Sequence, residues 1–153
     1  MSFEKGAYLL ITELKESRYI EVGKLGVFFF PGGYYVYTGS AMNGISQRVR
    51  RHTGQNKKLR WHIDYFLRYG MIKGIVILTS EDKIECRVNQ MVKALFKGRI
   101  IAPGFGSSDC KEKCGSHLLF IRKYGFRNHL EKFLGQARKS LSLKSCEFQS
   151  IVG

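Results

Sequence analysis

The stretches GAYLLITE at residues 6–13 and YYVYTG at residues 34–39 decide the fold of this chain. Both are rich in aromatic and branched residues, a composition that favours β-strands. Pro-Gly-Gly at residues 31–33 precedes the second stretch and favours a turn. Pairing of the two strands would bring Tyr8 near Tyr37, so the sequence predicts a strand pair that carries two neighbouring phenol groups.

The rest of the chain alternates between short extended segments and stretches with the 3.6-residue periodicity of amphipathic helices. The other predicted strands are residues 18–22, 26–30, 74–78 and 118–121. Four helices are predicted: the first begins near Ile45, the second follows a cap at Asn56, the third follows a cap at Ser80, and the fourth begins at Phe126. Residues 103–116 are predicted to form a loop. Short strands covered by helices indicate a fold of the α+β class.

A single domain is expected, because domains commonly contain about 100–150 residues and this chain has 153, of which 44% are hydrophobic. We predict one domain over residues 1–145 and a frayed tail over residues 146–153. No apolar run approaches the roughly 20 residues that span a bilayer, and no hydrophobic signal region follows residues 1–5. These features predict a cytoplasmic protein without a membrane partner.

The formal net charge of +14 predicts an anionic partner. Nucleic acid is the leading one, because lysines and arginines that neutralise phosphates release counterions. A basic surface that only maintains solubility is the alternative. Basic residues are concentrated in residues 48–68 and 122–144, and in both segments they outnumber acidic residues by seven to one. The predicted nucleic-acid contacts are Arg50, Arg51, Lys57, Lys58 and Arg60. DNA is the expected partner, RNA stays open as an alternative, and the sequence does not define an oligomeric state.

Two tyrosine motifs, at residues 6–8 and 37–39, are followed by Arg48 and, one helical turn later, by His52. A phenol hydroxyl can donate, accept or relay a proton, and a guanidinium can bind a phosphate through two parallel hydrogen bonds. The flanking glycines allow a ligand to approach the backbone closely. The combination favours phosphodiester chemistry over the alternative of ordinary strand aromatics beside a solvated arginine.

The spacing of these motifs resembles the GIY-YIG nuclease superfamily, in which a Gly-x-Tyr strand pairs with a Tyr-x-Gly strand and an arginine follows on the first helix. Further segments are similar to the Uri-type branch, a set of small archaeal and bacterial proteins. These segments are YVYTGSA at 35–41, WHIDY at 61–65, EC at 85–86, GFGSSDC at 104–110 and SHL at 116–118. The resemblance covers roughly residues 6 to 121. It implies a small, mainly antiparallel central sheet flanked by helices, and a metal-dependent endonuclease that hydrolyses phosphodiester bonds in DNA. The helix predicted from Phe126 would be an extra C-terminal helix.

The resemblance also implies roles for the matching side chains. Tyr8 would accept a proton from the attacking water or position it, and Tyr37 would support it by hydrogen bonding. Arg48 would stabilise the charge on the phosphate in the transition state. His52 would assist or contact phosphate, and a histidine on the helix surface is the alternative. The middle residue of each tyrosine motif departs from the usual isoleucine, but neither middle side chain takes part in the chemistry.

The resemblance further implies one divalent ion, Mg²⁺ or Mn²⁺, held by a glutamate on the third helix. Glu85 is the candidate, since magnesium needs only one or two carboxylates besides water and phosphate oxygens. In the superfamily the glutamate lies further into that helix, where this chain has Asn89 and Gln90. The alternative is therefore a non-catalytic nucleic-acid-binding module on the same scaffold.

Cys110, Cys114 and His117 lie close in sequence, and Cys86 could complete a set of four soft ligands for tetrahedral zinc. A disulfide from Cys110 to Cys86 or Cys114 and free buried thiols are the other two interpretations. If zinc or redox chemistry dominated, the protein would be a zinc- or redox-responsive regulator.

Two segments have structural and functional interpretations. The glycine-rich residues 104–109 could hold phosphate through backbone amides or form a tight turn. In the segment 61–65, His62 and Asp64 cannot face the same way on a helix, so a His-Asp pair is not expected there. Asp64 is predicted to orient a nearby arginine or histidine, and Trp61 is predicted to be structural.

Overall fold

The computed structural model describes residues 4–42, 44–54, 58–107, 110 and 112–151, which form an α+β fold with a mainly antiparallel sheet flanked by four helices. In chain order the elements are β1 (Gly6–Leu14), β2 (Arg18–Glu21), β3 (Val27–Phe30), β4 (Gly33–Ala41), α1 (Ile45–Thr53), α2 (His62–Phe66), β5 (Met71–Thr79), α3 (Glu85–Leu95), β6 (Arg99–Ile100), β7 (Leu118–Ile121), α4 (Phe126–Ser140) and β8 (Ser145–Ser150). The predicted fold class is confirmed, including the C-terminal helix.

The central sheet has six strands in the order β6-β7-β4-β1-β5-β8, and all neighbouring pairs are antiparallel. Residues 6–13 and 34–39 lie in β1 and β4, which pair along their full length from Gly6 opposite Ala41 to Leu14 opposite Gly33. The strands β2 and β3 form a separate hairpin. The start of β1, the end of β4 and the start of β7 therefore meet at one end of the sheet.

Both faces of the sheet are covered, so β1 is buried on both sides. Ala7, Leu9 and Ile11 lie in a core with α3 and α4, whereas Tyr8 and Leu10 lie in a second core with α1, α2 and the β2–β3 hairpin. This double burial explains why β1 has a continuous apolar sequence rather than alternating apolar and polar residues.

The predicted frayed tail is wrong, because residues 145–150 form strand β8 on the edge of the sheet. Thr79 pairs with Ser145 and Gly74 pairs with Ser150, and the Thr79 and Ser145 hydroxyls lie 2.6 Å apart. Most of the β8 residues are exposed. Its sequence therefore lacks the apolar pattern from which a strand is recognised, and backbone pairing with β5 supplies its order.

The predicted cap of the third helix is also wrong, since α3 begins only at Glu85. The Ser80 hydroxyl instead accepts a hydrogen bond from the Asp82 amide and donates one to the Ser142 carbonyl, which ties the turn after β5 to the end of α4. The second helix is limited to His62–Phe66, and its expected cap, Asn56, lies outside the described residues. Among the described residues, none of the helices has the length and apolar composition needed to cross a bilayer.

Candidate active site and metal-ligand cluster

A cleft of about 240 Å³ opens at the end of the sheet where β1 begins and β4 ends. It is bounded by β4, α1, the entry to α2, the first turn of α3 and the loop before β7. The residues that line it are Tyr37, Ser40, Arg48, Arg60, Trp61, His62, Glu85, Gly106 and Cys110. Three of the side chains predicted for phosphodiester chemistry, Tyr37, Arg48 and Glu85, thus meet in one cavity.

The two motif tyrosines are neighbours on one face of the β1–β4 pair. Tyr8 is opposite Gly39 and Tyr37 is opposite Leu10, so the two rings are diagonal neighbours with centroids 6.3 Å apart. A Cβ atom on Gly39 would lie 2.4 Å from the Tyr8 ring, closer than any side chain permits. The glycine of the second motif therefore makes room for the tyrosine of the first.

Tyr8 is fully buried and bonded to the first helix. Its hydroxyl lies 2.6 Å from Nε2 of His52, which is itself only 2% exposed. The surface position that was the alternative for His52 is therefore wrong. Burial, and to a lesser extent Tyr37, raises the pKa of Tyr8 far above its ordinary value, and the Arg48 guanidinium opposes this rise. Tyr8 remains a neutral phenol near pH 7.

Tyr37 is only partly buried and reaches the cleft, whereas Tyr8 is not among its described lining residues. Burial also raises the pKa of Tyr37, followed by the charge of Glu85, and the charge of Arg48 acts in the opposite direction. The guanidinium and the carboxylate are therefore both close enough to affect the same phenol.

Arg48 is held by two contacts on the cleft wall. Its Nη1 donates to the Ser40 carbonyl at 3.0 Å, and its guanidinium lies 4.5 Å from the ring centroid of Trp61. A charged hydrogen bond and a cation–π contact together restrict the orientation of the guanidinium. The side chain is half-buried, so a ligand in the cleft can reach it.

Asp64 organises the segment that enters α2. It is fully buried, binds Arg51 through two hydrogen bonds of 2.9 Å, and accepts the backbone N–H groups of Arg60 and Trp61, each at 2.8 Å. Burial alone would raise the pKa of Asp64, but these hydrogen bonds lower it below its ordinary value. The prediction that Asp64 orients a nearby arginine is confirmed, and Trp61 is fixed between Arg48 and Arg51.

The predicted nucleic-acid contacts differ in their availability. Arg50, Lys58 and Arg60 are exposed, and Arg60 lines the cleft. Arg51 is already bound to Asp64 and is not free for phosphate in this arrangement. Lys57 lies outside the described residues. The second basic segment consists mainly of α4, which packs on the opposite face of the sheet from α1 and α2.

Glu85 is the first residue of α3 and the only carboxylate among the described residues that line the cleft. The position where the resemblance expects a glutamate has a different function. Asn89 is buried, accepts a hydrogen bond from the Thr38 hydroxyl and donates one to the Ser116 carbonyl, thereby joining β4 to the chain before β7. Gln90 is exposed, and its side-chain amide nitrogen lies 3.9 Å from the sulfur of Cys114.

A second cluster lies directly behind the cleft wall. Cys86, Cys110, Cys114 and His117 place one ligand atom each within 4.8 Å of one another, so the four residues can hold a metal ion. In a tetrahedral zinc site with Zn–S bonds of about 2.3 Å, sulfur atoms lie roughly 3.8 Å apart, which this spacing approaches. The cysteines are free thiols, and the Cys86 and Cys110 sulfurs lie 3.2 Å apart. The disulfide interpretation is therefore not realised in this structure.

The cluster also contains an imidazole without hydrogen bonds. His117 is fully buried, neither ring nitrogen has a hydrogen-bond partner, and Nδ1 lies 3.5 Å from Oε2 of Glu85. Burial by itself lowers the pKa of His117, but Glu85 and the neighbouring thiols raise it to about 9. Burial raises the pKa of Cys110, but the Cys114 backbone and the neighbouring Cys86 and His117 side chains more than offset this rise and bring the pKa down to about 6. A thiol that ionises easily beside a buried imidazole is a favourable metal-binding environment.

The described part of the glycine-rich loop, residues 104–107, forms a structural turn. The amide of Gly104 donates to Gly115, that of Phe105 to Ala102, and that of Ser107 to Gly104. The Gly106 amide donates to Nδ1 of His62 at 2.8 Å. These amides are therefore used within the protein. Ser108 and Asp109, also part of the proposed loop, lie outside the described residues.

His62 is a cleft residue that sequence reasoning did not select. Its Nδ1 accepts the Gly106 amide, and burial lowers its pKa, which favours the neutral ring with its proton on Nε2. Only the sequence WHIDY pointed to it, and that pattern alone does not distinguish a cleft histidine from a buried one.

No curated protein and no solved structure matches the chain. Residues 7–140, by contrast, match a family described as a domain of unknown function, and these residues contain Tyr8, Tyr37, the residues that line the cleft and the metal-ligand cluster. The chain belongs to that family, DUF123.

Proposed function

We propose that this protein is a metal-dependent endonuclease of the GIY-YIG type, which hydrolyses phosphodiester bonds in DNA. The observation that carries the proposal is the convergence of Tyr37, Arg48 and Glu85 on one cleft. They come from β4, α1 and α3, and no local sequence constraint brings them together. A phenol, a guanidinium and a carboxylate around one cavity meet the needs of phosphodiester hydrolysis, namely a positioned water, charge stabilisation and a metal ligand.

Arg48 is proposed to stabilise the extra negative charge that develops on the phosphate. Its contacts with the Ser40 carbonyl and the Trp61 ring support this function, because they fix the guanidinium before a substrate arrives. A preorganised donor of this kind contributes roughly 2.7–4 kcal/mol to transition-state stabilisation.

The tyrosines are proposed to handle the attacking water. Tyr37, which lines the cleft, orients the water, and Tyr8 accepts its proton while passing its own to Nε2 of His52, 2.6 Å away. The raised pKa of both phenols means that no phenolate forms beforehand, so proton transfer accompanies attack. The water O–H bond breaks as the new P–O bond forms, and the departing oxygen takes a proton from solvent.

Glu85 is proposed to hold Mg²⁺ or Mn²⁺. It fits a magnesium ion with few protein ligands, because it supplies one carboxylate at the cleft wall and leaves the other positions to water and phosphate oxygens. A bound ion would supply Lewis-acid stabilisation of the phosphate. The protein's own contribution is the position of that carboxylate at the start of α3.

DNA is proposed to cross the α1 side of the sheet. The exposed Arg50, Lys58 and Arg60 lie in the segment that borders the cleft and can contact backbone phosphates without reading sequence. The basic residues of α4 are on the other face and are not part of this path.

The four-residue cluster is proposed to bind zinc in a structural role. Four protein ligands leave no open position for substrate, and this closure is typical of structural rather than catalytic zinc. The ion would fasten the loop that carries Gly106 and Cys110 to the first turn of α3.

The endonuclease proposal is tested with a divalent-ion screen on linear, nicked, flapped and branched DNA and on matched RNA. Cleavage is expected with Mg²⁺ or Mn²⁺, to be abolished by a chelator of those ions, and to fall strongly in Tyr37→Phe and Glu85→Gln. Glu112→Gln, which changes an exposed acid outside the cleft, is the control. Salt-sensitive binding without cleavage under any ion would overturn the proposal in favour of a non-catalytic binding module.

The zinc assignment is tested by metal analysis of the purified protein and by cobalt substitution. We expect stoichiometric zinc, thiolate-to-cobalt absorption bands in the substituted protein, and loss of both in Cys114→Ser. Cys146→Ser is the matched control, because Cys146 lies outside the cluster. A purified protein without metal, or equal metal content in the two variants, would contradict the assignment.

A further inference from the structure

Glu85 stands between the cleft and the metal-ligand cluster. It lines the cleft, and its Oε2 lies 3.5 Å from Nδ1 of His117, the one imidazole of the cluster. Its neighbour in sequence, Cys86, contributes a sulfur to the same cluster. One carboxylate is thus in contact with both sites.

His117 needs a partner on each nitrogen. A buried imidazole without hydrogen bonds is costly, and a metal ion satisfies only one ring nitrogen. Histidines that bind a metal usually donate their other N–H to a carboxylate or carbonyl, which fixes the tautomer and the ring orientation. Of the described carboxylates, Glu85 is the one in ion-pair contact with His117.

The other described contacts of Glu85 are compatible with a hydrogen bond from His117 to its carboxylate. Its side chain is 29% exposed, and the described structure records no second salt bridge to it. A carboxylate has two oxygens, so Oε2 can accept a hydrogen bond from His117 while the remaining oxygen faces the cleft. Cys110 also lines the cleft and belongs to the cluster, so the two sites share a wall at two points.

We infer that Glu85 serves two metals at once: it orients His117 for zinc in the cluster and presents its other oxygen to the divalent ion in the cleft. Both halves rest on the proposed function, the first on the zinc assignment of the cluster and the second on the Mg²⁺ or Mn²⁺ site of the cleft. The inference assigns Glu85 as a positioning residue for the zinc site, a role separate from its role in cleavage. The inference also explains why the carboxylate lies in the first turn of α3. The position further along the helix is occupied by Asn89, which joins β4 to the chain before β7 and carries no charge.

The test uses the full chain and two substitutions that separate the roles. Glu85→Gln keeps an oxygen that can accept from Nδ1–H but removes the charge, whereas Glu85→Ala removes both. Zinc affinity is measured by competition with a chromogenic chelator, and binding of the second ion is measured by titration with Mn²⁺ followed by electron paramagnetic resonance. Neither measurement depends on cleavage. Glu112→Ala is the control for loss of a nearby exposed acid.

We expect Glu85→Ala to weaken zinc binding by about 10–100-fold and to abolish Mn²⁺ binding in the cleft. Glu85→Gln should keep zinc binding close to that of the unaltered protein and lose only the Mn²⁺ site. Unchanged zinc affinity in Glu85→Ala, equal zinc loss in both variants, or an unaltered protein that binds no zinc overturns the inference. If the unaltered protein binds both ions as expected but cleaves no substrate, the endonuclease proposal fails and the shared carboxylate stands.

Discussion

The hydroxyl of Tyr8 and Nε2 of His52 lie 2.6 Å apart in the buried layer between β1 and α1. This bond joins the first tyrosine motif to the helix that carries Arg48, and it gives the phenol a partner that can take up a proton.

Replacement of Tyr8 by phenylalanine should leave the fold intact and remove this route for the proton. Loss of a positioned proton acceptor commonly costs about 10²–10⁴-fold in rate, so we expect kcat for DNA cleavage to fall by that order. Tyr35→Phe is the matched control, because Tyr35 is equally buried but donates its hydroxyl to the Pro31 carbonyl, away from the cleft. Equal activity of the two variants would remove Tyr8 from the mechanism.

Replacement of Arg48 by lysine should reduce cleavage although the charge is kept. A lysine cannot form the planar two-point contact with a phosphate, and it loses the stacking of the guanidinium against Trp61. We expect kcat to fall by about 10²–10³-fold, the range for loss of one preorganised donor. Arg50→Lys is the comparison: Arg50 is exposed and is proposed only to contact backbone phosphate, for which a lysine charge suffices, so kcat should not change and any effect should be on KM for DNA. Comparable losses in the two variants would mean that the basic helix only attracts DNA.

Replacement of Gly39 by alanine should destabilise the protein, because the added Cβ would lie 2.4 Å from the Tyr8 ring. Overpacking of this kind costs about 1–3 kcal/mol, measurable as a lower midpoint of urea unfolding. Gly135→Ala is the opposite control: nothing lies within 4 Å of a Cβ there, and the residue is inside α4. Alanine at a helical position with open space around the added Cβ should stabilise by roughly 0.5–1 kcal/mol. A Gly39→Ala variant as stable as the parent would show that the ring moves freely.

These features differ in how far the sequence reveals them. The strands β1 and β4 were predictable from their aromatic and branched residues, and the helix α4 was predictable because its apolar residues follow the 3.6-residue period. β8 was not, since its residues are mostly exposed and it is ordered by pairing with β5. The start of α3 was missed because Ser80 resembles a helix cap but bonds to Ser142 instead.

Residues of the candidate site were predictable where a particular residue type stands at a fixed distance along the sequence from a recognisable motif. Tyr37 and Arg48 were selected in this way, whereas Glu85 was chosen as the carboxylate near the start of the third helix although the resemblance expects it further along. The structure brings all three to one cleft. The contact between His62 and Gly106 joins residues 44 positions apart, so no local pattern signals it. The burial of His52 depends on Tyr8 across the same sequence separation. The burial of His52 is therefore determined by the packing of α1 against β1.

The buried carboxylate of Asp64 makes the stability of the protein depend on pH in the acid range. In the folded protein, hydrogen bonds from Arg51 and two backbone amides lower the pKa of Asp64, whereas the unfolded chain has the ordinary value of about 3.9. Between these two pKa values the unfolded chain binds more protons than the folded one, so the free energy of unfolding falls as the pH falls. The contribution is fully present above about pH 5 and is lost as the pH drops through the folded pKa.

Asp64→Asn should therefore lower stability at pH 7 and flatten its dependence on pH below about pH 4. We expect a loss of about 3 kcal/mol, the lower end of the range for a broken buried ion pair, because Arg51 keeps contact with solvent when its partner is gone. Urea unfolding at a series of pH values measures both effects. Because the other carboxylates are common to both proteins, the difference between the two curves isolates Asp64. Parallel curves from pH 3 to pH 7 would mean that its hydrogen bonds do not favour the charged carboxylate.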